Sequence, residues 1–186
     1  APPPSPPPPA PVPAPLPAHH PQPRPPSRLP PWLRLMRLPN VFTAIADVAM
    51  GYLFVNGSLV SGAQLACLIA ASALLYTAGM VINDVFDFAV DAQERPFRPL
   101  PSGQIGLTTA HAFGFTLLAL GLICGWLAGY VPGAAAISPL RSGVLATAIV
   151  AAVLAYDGWL KFTSAGPLGM GLCRFLNVLL GMSTAD

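Results

Sequence analysis

Between residues 41 and 182 the chain offers five apolar stretches, each close to the roughly 20 residues that a helix needs to cross a bilayer. They fall at about Val41–Val60, Gln64–Phe86, Thr109–Tyr130, Ser142–Leu160 and Pro167–Met182. Stretches of this length and character cannot coat a water-facing surface. The charge content closes that alternative: 9% of the residues are charged, against about 25% in a soluble domain. Hydrophobic residues make up 54% of the chain and the mean hydropathy is +0.62. The expected fold is therefore an all-α, polytopic transmembrane helix bundle. Its breaks are polar or turn-forming, at Asn56-Gly57-Ser58, residues 95–106, the stretch from Pro132-Gly133 to Pro139, and residues 163–166. Gly121, Gly125 and Gly129 recur at a spacing that lets membrane helices approach closely. Cys67, Cys124 and Cys173 lie in apolar runs without metal or disulfide spacing, and read as small buried hydrophobes.

Residues 1–31 differ in kind, holding 17 of the 24 prolines and no acid. Such a segment has nothing apolar to pack and is expected to be a disordered tail, ahead of a membrane domain at 32–186. A net charge of +2 supplies no broad basic field, so no nucleic-acid partner is expected. Arg24, Arg28, Arg34 and Arg37 precede the first stretch, Arg95 and Arg98 lie between the second and third, and Lys161 lies between the fourth and fifth. Alternating crossings collect all of these on one side, opposite Arg141, and the positive-inside rule makes that side cytoplasmic. The expected location is integral, in the plasma or inner membrane.

Four of the seven acids crowd into residues 84–94, at the end of the second stretch. The sequence there reads Asn83-Asp84-Val85-Phe86-Asp87-Phe88-Ala89-Val90-Asp91, then Arg95-Pro96-Phe97-Arg98-Pro99-Leu100-Pro101-Ser102-Gly103. At about 100° per residue, Asn83, Asp87, Asp91 and Asp84 project at about 0°, 40°, 80° and 100° on one helix face. Pro96 should stop that helix near Arg95. Carboxylates grouped at a membrane edge need a cation or water to neutralise them. Mg²⁺ suits them, because it takes hard oxygens from one or two carboxylates, waters and substrate phosphate. Arg95 and Arg98 add guanidinium forks that match phosphate oxygens. Together these make a diphosphate cradle. The plainer reading is a solvated helix end, which explains the charges but not their one-sided spacing.

The run Asn83–Asp91 with the following R-P-x-R-P-L-P-S-G resembles the first aspartate-rich motif of the UbiA superfamily of intramembrane prenyltransferases. Arg37-Leu38-Pro39-Asn40 is similar to the lead-in to that family's first helix, and Tyr156 through Lys161 and Met170 through Asn177 to its fourth and fifth, the last most like an EboC-like branch. The resemblance implies Mg²⁺-dependent transfer of an isoprenyl group from an allylic prenyl diphosphate to an unidentified acceptor inside the membrane. It places Asp84, Asp87 and Asp91 as the catalytic metal ligands. Asn83, Arg95, Arg98 and Lys161 take the diphosphate, while Tyr156, Arg174, Asn177 and Asn40 contact substrate. It also implies about nine spanning helices and a second aspartate-rich motif. The chain ends at Asp186, past the fifth stretch, and is expected to be the N-terminal portion of a longer enzyme and inactive alone.

Other readings compete at single residues. Arg174 lies inside an apolar stretch, where a central charge costs about 2.5–3.5 kcal/mol; a structural pairing with a carboxylate such as Asp157 competes with a cavity-facing role. Asp47 has no obvious partner. Asn40 could cap a helix, and His111 reads as a helix-terminal or interfacial residue. Two further classes fit parts of the chain: a transporter whose acids line an ion path, and a non-catalytic membrane scaffold. Adjacent arginines, which repel cations, speak against the first.

Overall fold

The computed structural model describes residues 29–132, 134 and 139–184. The proline-rich tail, apart from residues 29–31, lies outside the described residues. Helix starts and stops follow local chemistry. Pro31 opens α1 (Pro31–Met36), where a missing N–H costs nothing. A left-handed Arg37 turns the chain into α2 (Leu38–Asn56). Gly57, at φ 66°, ends α2 with its N–H on the Leu53 carbonyl. The first span thus stops at Asn56, four residues short of the expected Val60, because the Asn-Gly turn outweighs the apolar Leu59 and Val60. Ser61 caps α3 (Gly62–Phe86) by accepting the Gln64 N–H.

A one-residue break at Asp87 separates α3 from α4 (Phe88–Glu94), and α4 stops at Arg95, before Pro96, as expected. α5 (Leu107–Leu127), α6 (Leu140–Gly158), a 3₁₀ turn (Leu160–Phe162) and α7 (Gly166–Met182) complete the chain. Among the described residues there is no strand. Four helices, α2, α3, α5 and α6, are long and apolar enough to cross a membrane, and α7 is a shorter apolar helix of 17 residues.

α3 is the central post, packed by α2, α5 and α6, while α7 closes on α2 and α6. Val48, Tyr52, Leu68, Leu75, Ile82, Leu118, Ile149 and Leu180 form the main core. The glycine spacing on α5 is used as expected. A Cβ on Gly121 would lie 2.8 Å from Leu75 Cγ of α3, and Gly125 sits against Ala146 of α6. A second core joins α1 to the loop after α4, with Leu35, Val81, Leu100, Ile105 and Ala110 buried together. The sequence offered no expectation of α1, which is too short to show a period. Its Leu35 fills this core, Trp32 meets the Phe113 ring edge-on at 5.1 Å, and Arg34 donates to the Phe97 carbonyl at 3.0 Å.

Candidate functional site

The motif residues at the end of α3 are tied into two ion-pair groups. In the first, Asp84 takes Arg37 at 2.6 Å and Arg98 at 3.4 Å, and the same Arg98 Nη1 reaches Asp91 at 2.5 Å. Asp91 also pairs with Arg95 at 3.5 Å. Asp84 and Asp91 are seven residues apart, so two helical turns return them to one side. Both are buried. Arg98 reaches back to them because Pro96 turns the chain, Ser102 closes the next turn on the Arg98 carbonyl, and a left-handed Gly103 sends the backbone into α5.

Asn83 and Asp87, at about 0° and 40° on the wheel, form the other edge of that face and make the second group. Asp87 occupies the break between α3 and α4 and faces the 3₁₀ turn, where Lys161 Nζ lies 2.6 Å from its Oδ1. The Asp87 N–H still reaches the Asn83 carbonyl and the Asp91 N–H the Asp87 carbonyl, so the helical ladder runs through this turn and Asp87 lies one turn beyond Asn83, towards α6 and the 3₁₀ turn. Asn83 also turns that way, donating from Nδ2 to Asp157 Oδ1 at 2.9 Å.

Among the described residues no three His, Cys, Asp or Glu side chains converge as a metal group. Asp84 and Asp91 nonetheless fit Mg²⁺ as a pair. They are hard carboxylate donors that share one cationic nitrogen, and Mg²⁺ is commonly bound by one or two carboxylates with waters and phosphate completing its shell.

Arg37 and Asn83 connect this cluster to a cavity of about 410 Å³ enclosed by α2, α3, α6 and α7. Of the residues expected to touch substrate, Asn40, Asn83, Tyr156, Arg174 and Asn177 line it. Leu75, Ile149, Val153 and Met170 supply apolar wall. Asn40 makes no side-chain cap, so the capping reading fails there. Asn177 is committed to packing. Its Nδ2 donates to the Ala44 carbonyl at 3.0 Å, and its Oδ1 accepts from Ser72 at 2.7 Å, joining α2, α3 and α7.

Arg174 finds its carboxylate in Asp47 of α2, at 3.1 Å, and not in Asp157. That pairing also answers the missing partner of Asp47. His111 is exposed near the start of α5, tilted against Phe115 at 4.8 Å.

Two participants were not foreseen as site residues. Arg37 looked like one topology charge among four, and nothing local links it to an acid 47 residues away. Asp157 was foreseen only as a foil for Arg174. The usable signal was simply an acid inside an apolar span.

A polytopic bundle of apolar helices, with a carboxylate–guanidinium cluster beside a polar-lined cavity, defines the class: an integral membrane protein. The chain belongs to the UbiA prenyltransferase family, whose sequence profile matches residues 44–185. It is 34% identical over 101 residues to a digeranylgeranylglyceryl phosphate synthase of Metallosphaera sedula, a match covering 54% of this chain and 36% of that one. A synthase of the same name from Methanoregula boonei is 42% identical over 88 residues, covering 47% and 31%.

The fold resembles a solved structure reported as "Structural and mechanistic insights into the biosynthesis of Digeranylgeranylglyceryl phosphate synthase in membranes". The TM-score is 0.73 at 26% identity, over 84% of this chain and 53% of that chain. The chain thus spans about a third of the length of the curated relatives it matches and about half of the solved one. The narrower likeness to an EboC-like branch gains no support from these relatives.

Proposed function

We propose that the complete protein transfers an isoprenyl group from an allylic prenyl diphosphate to an acceptor inside the membrane, using Mg²⁺. One observation carries this reading. Two buried carboxylates and the cations Arg37, Arg95 and Arg98 stand at the edge of a cavity whose lining is part polar and part apolar. A diphosphate on an isoprenoid tail needs both environments at once.

Asp84 and Asp91 would hold Mg²⁺, with Asp87 serving from the Lys161 side; bound metal would neutralise charge as the diphosphate leaves. Arg95, Arg98 and Lys161 would take the diphosphate oxygens. The apolar wall would hold the tail and keep water from the developing allylic cation. The cluster is proposed to face the cytoplasm, since the segments on its side of the bundle hold Arg34, Arg37, Arg95, Arg98 and Lys161 against Arg141 on the other.

The ion-path alternative is disfavoured because Asp84, Asp87 and Asp91 gather at one end of α3 beside Arg95 and Arg98, and do not run along the length of a span. The test is the complete protein in its native membranes with Mg²⁺ and labelled geranylgeranyl diphosphate. Geranylgeranylglyceryl phosphate, which the relatives' name suggests, is the first added acceptor. Label should pass into an extractable lipid, and EDTA should prevent it. Membranes that transfer no label to added or resident acceptors would leave the scaffold reading standing.

A further inference from the structure

Six acids fall among the described residues, and four of them hold a cation. Asp47 pairs with Arg174, Asp84 with Arg37 and Arg98, Asp87 with Lys161, and Asp91 with Arg95 and Arg98. Glu94 is exposed on α4. Asp157 is the exception. It is 2% exposed, lies in the cavity wall, and has no ion-pair partner among the described residues. Lys161, four residues further on, gives its ammonium to Asp87 instead.

Asp157 is held by an amide. Asn83 Nδ2 donates to its Oδ1 at 2.9 Å and so fixes the direction of the carboxyl group, while Oδ2 takes no hydrogen bond among the described residues. A buried acid without a cation is costly to maintain in an apolar span, and such groups concentrate at functional sites. Its tether is the residue next to Asp84, so the carboxyl adjoins the place where the donor's reacting end would lie.

We propose that Asp157 takes the proton from the acceptor during transfer. This rests on the prenyl-transfer reading. In the step, the bond between the donor's C1 and its diphosphate oxygen breaks, and the electron pair leaves with the diphosphate. The acceptor's nucleophilic atom, a hydroxyl oxygen or an activated carbon, bonds to C1. The proton displaced from that atom passes to Asp157 Oδ2, and water later removes it. An acid already paired with an arginine would serve poorly as this sink, because the pair stabilises its charged form. Asn83 is then a positioning residue, and Arg174 keeps Asp47 out of the role. The acceptor class follows: a molecule whose nucleophile carries a removable hydrogen, held on the α6 side of the cavity.

The experiment separates ionisation of the donor from capture of the cation. The complete protein, wild type and Asp157→Asn, is assayed in native membranes with Mg²⁺ and geranylgeranyl diphosphate labelled with ¹⁸O at the bridging oxygen. Scrambling of the label into non-bridging positions reads donor ionisation, and labelled lipid reads transfer. A general base contributes about 10²–10⁴-fold. Asp157→Asn is therefore expected to lose at least about 100-fold in transfer kcat, with scrambling and donor KM within about twofold of wild type. Scrambling also reports an intact donor site. If Asp157→Asn does not accumulate, Asp157→Ser is read in its place against the same split. Transfer at the wild-type rate, or equal loss of scrambling and transfer, overturns the role of Asp157. A wild-type protein that neither scrambles nor transfers overturns the prenyl-transfer reading itself, and this proposal with it.

Discussion

At Arg98 a single guanidinium spans the two carboxylates of the motif, 3.4 Å from Asp84 and 2.5 Å from Asp91. Arg98→Lys keeps the charge but loses the planar fork that can serve two oxygens. A charge-assisted hydrogen bond is worth about 1.5–3 kcal/mol, and about 1.4 kcal/mol is tenfold. The donor kcat/KM should therefore fall at least about tenfold while the protein still inserts and purifies. Arg141→Lys, at the far end of α6, should leave it unchanged. Equal losses at both positions would reduce Arg98 to a topology charge. Asp84→Ala is expected to abolish Mg²⁺-dependent turnover, since it removes a metal donor and also strands Arg37. Near-normal turnover in that variant would remove the metal role of the motif. The carboxylates, Arg95 and Arg98 were legible in the sequence because they lie within 15 residues of one another. Arg37 was not, because only folding brings it to Asp84.

Among elements, the most extensive packing is of α3 on α5 and of α2 on α7. A side chain at Gly121 would press on Leu75, whose backbone N stands 3.1 Å from the added Cβ and cannot yield as a side chain would. Overpacking costs about 1–3 kcal/mol, so Gly121→Val should lower the melting temperature in detergent by several degrees. Gly171 of α7 has open space around its Cβ position, and Gly171→Ala should be neutral or stabilising through helix propensity. Between α2 and α7, Asp47→Ala would leave Arg174 charged and alone in an apolar helix, at a cost of about 2.5–3.5 kcal/mol on insertion scales. The double variant Asp47→Ala with Arg174→Leu should recover membrane insertion. Failure of that rescue would show that the two residues act separately. The small-residue spacing on α5 was readable in advance. The Asp47–Arg174 pair was not, its members standing 127 positions apart.

For the whole molecule, the arrangement of crossings is the testable property. Residue 60 lies between α2 and α3, and residue 98 follows α4 at the other end of α3. With the three native cysteines replaced, single cysteines at these positions should react with a membrane-impermeant reagent from opposite sides of the membrane. Reaction of both from one side would contradict the expected arrangement of alternating crossings.

Helix content, the approximate spans, the stop before Pro96 and the clustered acids were all determined by the sequence alone. Their causes act within a few residues: apolar runs of bilayer length, prolines without an N–H, glycines free to turn left-handed, and charges on neighbouring turns. Asp91 meets Arg95 one turn further on, a local pairing, but tertiary structure alone decided the cations of Asp47 and Asp87. The approach of α6 and its 3₁₀ turn to α3 gives Asp87 to Lys161 and leaves Asp157 with an amide in place of a cation, and the packing of α2 on α7 gives Asp47 to Arg174. Those partners lie 74 to 127 residues apart along the chain, and no local preference selects among cations at that range. Side-chain geometry at the contacts between helices does.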